Sequence, residues 1–134
     1  MIQNFISMNG YGSFVWLSFA ITFLASGALS GKYREGQMPK NARMTLFKGW
    51  ERMINPLAMK AYDEYYKLAK ANNITMVQLA QAFVNSRPFV TSNIIGATTM
   101  EQLKENIESM NIKLTEETLE KINTIHNNNP NPAP

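Results

Sequence analysis

The sequence predicts an α/β chain, mostly helical with one or two parallel strands, and three observations carry that prediction. Four segments repeat apolar residues at three- and four-residue steps behind a capping residue, as amphipathic helices do. One run in the charged part of the chain, residues 89–95, is dense in aromatic and β-branched side chains. That run passes through Gly96 into hydroxyl residues that open a helix, which makes a strand-to-helix junction.

The elements follow in order. Residues 1–31 contain no Asp, Glu, Lys or Arg. Residues 14–29 within them are mostly apolar and approach the length that spans a bilayer. Ser18, Thr22 and Ser26 interrupt the run, and no basic region precedes it as a signal peptide requires. Only Lys32 and Arg34 stand near it to set an orientation. These criteria disfavour a membrane anchor.

Residues 34–40, with Gly36 and Pro39, read as a loop. Residues 41–54 are basic and aromatic and read as a loop or short helix. Asn55 caps a helix that Pro56 opens and that runs to residue 71. Its inner face is Leu57, Ala61, Tyr65, Leu68 and Ala69, and Asn72-Asn73 ends it. Thr75, with Gln78 closing a capping box, starts the next helix. Val77, Leu79, Ala80, Phe83 and Val84 point inward there, and Arg87-Pro88 stops it.

After the strand at 89–95, Thr98 or Thr99 caps a helix that reaches about residue 110. Met100, Leu103, Ile107 and Met110 form its buried stripe, while Gln102, Glu105 and Asn106 lie on a different face. Thr115 caps the last helix, with Glu116 and Glu117 in its first turn and Leu119, Ile122 and Ile125 inward. Residues 128–134 read as a flexible tail.

Composition narrows the function classes. A chain of 134 residues, 45% hydrophobic and 17% charged, is globular and has room for one modest core. It has no cysteine, which excludes disulfides, thiolate metal sites and cysteine nucleophiles and suits a reducing cytoplasm. A net charge of +3 falls short of a nucleic-acid footprint. No metal-ligand set or nucleophile triad is present in the pattern. The single histidine, His126, sits near the end of the last helix, where a cation suits the dipole.

The junction at 96–106 is the chemically informative segment. A helix start just past a strand end offers unpaired N–H groups and a positive dipole end, which suits a phosphate. Gly96 lets that backbone approach closely. Gln102 and Asn106 lie one turn apart, and carboxamides both donate and accept, as reading an adenine edge requires. The same spacing also fits an ordinary amphipathic helix with a solvated polar face.

The run Gly96-Ala97-Thr98-Thr99-Met100-Glu101-Gln102-Leu103-Lys104-Glu105-Asn106 resembles the cofactor-binding segment after the last barrel strand of the aldo-keto reductases. The likeness is to the branch that includes the Tas-like bacterial oxidoreductases and the potassium-channel beta subunits. Leu24-Ala25-Ser26-Gly27-Ala28-Leu29-Ser30-Gly31-Lys32-Tyr33 is similar to the segment after that family's seventh strand. Asn41-Ala42-Arg43 and Leu79-Ala80-Gln81-Ala82-Phe83-Val84 add two further blocks in register. The resemblance implies a C-terminal fragment of a (β/α)8 barrel over residues 24–127. Residues 1–23 are expected to be a divergent replacement sequence: the family's Tyr-Ser-Pro-Leu-like strand end is here Ile21-Thr22-Phe23-Leu24.

The resemblance also implies chemistry, namely carbonyl reduction by hydride from a nicotinamide, usually NADPH. Carried over by position, Leu24, Ser26 and Gly27 match the loop over the pyrophosphate, and Lys32 a basic residue near the phosphates. Arg43 matches an Arg facing the adenosine 2′-phosphate. Gly96 and Thr98 match the phosphate contacts at the helix start. Gln102, Glu105 and Asn106 match the adenine and ribose side. The family's catalytic Tyr, Lys, Asp and His lie on earlier strands that have no counterpart here, so no catalytic residue is assigned.

A closed barrel needs all its strands, and two strands do not hold alone. The implied partners are therefore the dinucleotide and a complementary N-terminal barrel portion or a second copy. Leu57, Tyr65, Leu79, Phe83, Leu103 and Ile107 would otherwise lack their usual cover. Two rival functions stand beside this one. The helices at 56–71 and 75–86 could form a helix-turn-helix, although Gln78, Gln81 and Asn85 are all the second offers outward. The other rival is a membrane-anchored protein using residues 14–29.

Overall fold

The computed structural model describes residues 25–49, 51–130 and 132. Residues 1–24 lie outside the described residues, and with them Leu24 and most of the 14–29 run. A 3-10 turn, Ala25–Ser30, opens the described part, and a second follows at Arg34–Gly36. A four-residue helix α1, Arg43–Leu46, and a 3-10 turn, Glu51–Ile54, lead into the longer helices. These are α2 (Pro56–Ala71), α3 (Met76–Asn85), α4 (Met100–Glu108) and α5 (Glu116–Asn128). A short 3-10 turn, Ser109–Asn111, extends α4.

Local chemistry accounts for the helix ends. Asn55 accepts from the N–H groups of Leu57 and Ala58 at 2.8 and 3.0 Å, and Pro56 needs no donor at the first turn. At the other end Asn72 caps α2, and Asn73 takes the left-handed conformation at φ 54° that stops it. Thr75 and Gln78 form the full reciprocal box at the start of α3.

Helix α2 is the centre of the packing. It meets α3, α5 and the 51–54 turn. Ala58, Ala61 and Ala69 are buried along it, so neighbouring backbones approach closely, while Tyr62 and Leu68 fill the space between. Ile122 of α5 completes this core, with Leu119 and Ile125 beside it. Burying one such side chain is worth about 1.5–3 kcal/mol. The hydroxyl of Thr118 donates to Asn72 Oδ1 at 2.9 Å, which ties the start of α5 to the end of α2. Arg34 binds Asp63 at 2.8 Å and stacks on Tyr66 at 3.6 Å, anchoring the N-terminal turns to the same helix.

Three expectations need correction. No strand forms among the described residues, so the strand expected at 89–95 is absent. Residues 92–97 run without regular secondary structure, and no neighbouring strand among the described residues supplies a ladder. The stripe expected to be buried on α4 faces out: Met100, Ile107 and Met110 are 73%, 53% and 74% exposed, and Leu103 is half-buried. Asn106 is buried in its place, because a buried carboxamide on α3 bonds to it. Leu57, expected to point inward, is also exposed. Burial depends on what packs against a face, and α2 turns Ala58 and Ala61 to its neighbours instead.

The described residues beyond α5 return to α2 and its cap. Helix α5 continues to Asn128, Asn129 donates to Glu64 Oε2 at 3.3 Å, and Asn55 Nδ2 donates to the Pro132 carbonyl at 2.9 Å.

Tyr62 yields a test of the core. Its hydroxyl is buried without a hydrogen-bond partner, and burial pushes its pKa up to about 12 from an ordinary 10.0. Tyr62→Phe should therefore be neutral or stabilising by about 1 kcal/mol in urea melts, because an orphaned hydroxyl leaves the core. A raised pKa on a neutral acid means stability held below pH 10.0 and lost as pH rises towards 12. The variant should flatten that alkaline decline in part, since Tyr65 is shifted in the same direction by burial and Glu64.

Candidate functional site

The site is built from the junction between residue 96 and α4. Thr99 is the N-cap, extended at φ −131°, and its side chain accepts from Gln102 N at 3.3 Å. Gln102 reaches back, but to Thr98 and not to the cap: its Oε1 accepts from Thr98 N at 2.9 Å and from the Thr98 hydroxyl at 3.1 Å. Glu101 lies in the same first turn. Its own backbone N–H and the Thr99 hydroxyl hold its carboxyl below the ordinary carboxylate value. The Glu101 carboxylate therefore already occupies one N–H of the first turn. Gly96 is exposed in front of it, and a Cβ there would meet nothing within 4 Å.

Beneath the junction lies a network of carboxamides. Gln81 of α3 donates through Nε2 to Asn106 Oδ1 at 3.0 Å, and Asn106 Nδ2 donates to the Gly96 carbonyl at 3.4 Å. Asn93 Nδ2 donates to Gln81 Oε1 at 2.8 Å and to Asn85 Oδ1 at 3.2 Å. Glu105 is tied to the other end of α3, where the Thr75 hydroxyl donates to its Oε1 at 2.6 Å.

A second group sits on the N-terminal turns. Gly27 has φ +92°, and the Lys32 side chain lies over it so closely that a Cβ at 27 would come within 2.9 Å of Cε and Nζ. Lys32 Nζ stands 5.2 Å from the Tyr33 ring. Ser26 belongs to the 25–30 turn, and Arg43 is the exposed first residue of α1. The buried Tyr33 hydroxyl accepts from Met44 N at 3.2 Å, linking that turn to α1.

Gly96, Thr98, Gln102, Glu105 and Asn106 thus lie together on the junction and α4, and Gly27, Lys32 and Arg43 on the turns and α1. Helix α3 joins the two groups, since the 25–30 turn and α4 both pack on it. Beside the turns, Ser30, Gly31, Arg34, Tyr66, Lys70 and Thr75 line an open cleft of about 520 Å³. Among the described residues no group of His, Cys, Asp or Glu could hold a metal ion, and no helix is long and apolar enough to cross a membrane.

Sequence reasoning gave Gln81 no place in the site and offered it to solvent in the helix-turn-helix alternative. It is 3% exposed. The signal was present, because Gln81 falls four residues after Val77 and three before Val84, on an otherwise apolar stripe.

Comparison with known proteins gives one consistent result. The sequence model described as the aldo/keto reductase family matches residues 18–127. The chain is 42% identical over 115 residues to protein tas of Escherichia coli strain K12, covering 86% of this chain and 33% of that protein. It is 35% identical over 128 residues to a Schizosaccharomyces pombe protein described as a voltage-gated potassium channel subunit beta, covering 90% of this chain and 36% of the relative. An aldo-keto reductase of Babesia bovis is 36% identical over 108 residues, covering 77% and 38%. The chain spans about a third of the length of these curated relatives.

The Glu101 contacts lead to a pH test. A lowered carboxyl pKa means stabilisation present above about pH 4.5 and lost as pH falls through the shifted value. An NMR titration of full-length protein should place Glu101 below its ordinary value. Thr99→Ala, which removes the cap hydroxyl, should move it back up and cost about 1 kcal/mol of stability.

Proposed function

The chain belongs to the aldo/keto reductase family, and from that premise we propose that it carries the NADP(H)-holding end of an oxidoreductase that reduces carbonyls by hydride transfer. The family's architecture is a (β/α)8 barrel, and this chain supplies helices of that architecture. The observation that carries the proposal is the start of α4, where an exposed glycine leads into a capped helix N-terminus whose dipole and first-turn N–H groups suit an anion. That donor set fits a phosphate.

In this proposal the backbone at Gly96 and Thr98 takes a phosphate, and Lys32, which lies over Gly27, neutralises the pyrophosphate under the loop that Leu24, Ser26 and Gly27 match by position. Arg43 faces the adenosine 2′-phosphate and favours NADP over NAD. Gln102 and Glu105 stand on the adenine and ribose side, and Asn106 supports the junction from below, because its own exposure is only 5%. The nicotinamide, when bound, supplies the hydride that a carbonyl carbon accepts. The residues of this chain bind and orient; none matches the family's acid Tyr or its Lys, Asp and His partners, so the chain does not turn over alone.

The exposed faces of Leu57, Met100 and Ile107 support a further part of the proposal, completion by a complementary N-terminal barrel portion or by a second copy. A cytoplasmic setting accords with a chain that has no cysteine.

Titration of the full chain with NADPH, followed by nicotinamide fluorescence, tests the proposal. Saturable binding is expected, and Lys32→Ala should weaken it roughly tenfold by removing one charge-assisted phosphate contact. Arg43→Ala should bring the NADPH and NADH curves together. No binding by the unaltered protein at millimolar NADPH removes the proposal.

A further inference from the structure

We propose that Gln81 is a positioning residue for the nucleotide end of this site, acting as a clamp on both ends of the segment from Asn93 to Gly96. The inference rests on the cofactor assignment above and adds to it a residue that contacts no ligand. Residues 93–96 have no strand partner among the described residues, Gly96 is exposed, and Ile94 and Ile95 are 76% and 38% exposed. Within the described part no ladder and little packing fix their path. One buried side chain does so instead. Gln81 Oε1 accepts from Asn93 at one end, and Gln81 Nε2 holds Asn106, whose Nδ2 holds the Gly96 carbonyl at the other.

The polarity of this relay is fixed by its chemistry. A carboxamide has one accepting and one donating end. Asn93 donates to Gln81, so Gln81 must turn its amide nitrogen to Asn106, and Asn106 must then turn its own nitrogen to Gly96. Reversing Gln81 would set two N–H groups against each other on the Asn93 side and two carbonyls on the Asn106 side. The relay thus sets where the Gly96 backbone stands before α4 begins, and with it the phosphate-facing N–H groups. Gln81 itself is 3% exposed, so leaving either of its ends unpaired is unfavourable.

The test uses the full chain with two readouts. In Gln81→Leu, NMR backbone order parameters at residues 94–98 should fall clearly while those in α2 and α5 hold, the pattern of a local loosening. NADPH affinity should fall roughly tenfold, with the helical circular dichroism unchanged. Gln81→Glu keeps the acceptor towards Asn93 and loses the donor towards Asn106, so it should loosen residues 96–98 more than residue 93. Asn93→Ala cuts one end of the clamp and serves if Gln81→Leu does not fold; it should loosen residues 93–95 first. Unchanged order parameters at 94–98 in the folded variants overturn the clamp whatever happens to NADPH. Lower order parameters with unchanged NADPH affinity overturn the positioning role. Failure of the unaltered protein to bind NADPH is a different outcome: it overturns the cofactor assignment and the positioning role with it, while the order parameters still decide the clamp.

Discussion

An extended segment with no neighbouring strand has to satisfy its backbone and fix its path by other means, and the described part of this protein is organised around that constraint. Among the described residues the chain crosses 90–97, between α3 and α4, without a ladder. Side-chain carboxamides tie its ends instead: Asn93 bonds Gln81, and Gln81 bonds Asn106, which holds the Gly96 carbonyl. The cost is visible at Asn93, whose Oδ1 is buried and unpartnered. The orientation of α4 follows from the same network. Once Asn106 is drawn inward to Gln81, the helix presents Met100, Ile107 and Met110 to the outside.

The helices were largely legible in the sequence because their ends are local chemistry. Asn55-Pro56 and Asn72-Asn73 mark the bounds of α2 by capping chemistry that is local in the chain. Thr75 with Gln78 did the same for α3, and Thr115 for α5. What was not legible was which face each helix buries. The period of α4 is unmistakable, yet period gives only a stripe and not its partner. The strand at 89–95 failed for a related reason. Its composition is right for a sheet, but a sheet is a property of at least two segments and one was read alone.

The candidate site shows the same division. The helix start at Thr99 was legible from residue type, since capping hydroxyls follow the glycine there. The link from Gln81 through Asn106 to Gly96 joins residues far apart in the chain, and no local pattern announces such a bond. The described residues hold a loop with a lysine over a glycine and a capped helix start, with α3 as the piece between them.

The bond from Met44 N to the Tyr33 hydroxyl has a consequence of its own. Tyr33 directly follows Lys32 and Met44 directly follows Arg43, so a single buried contact yokes the neighbours of two cations. Under the proposed cofactor reading, that tie leaves less chain to be ordered when a guest arrives, which would favour affinity through preorganisation.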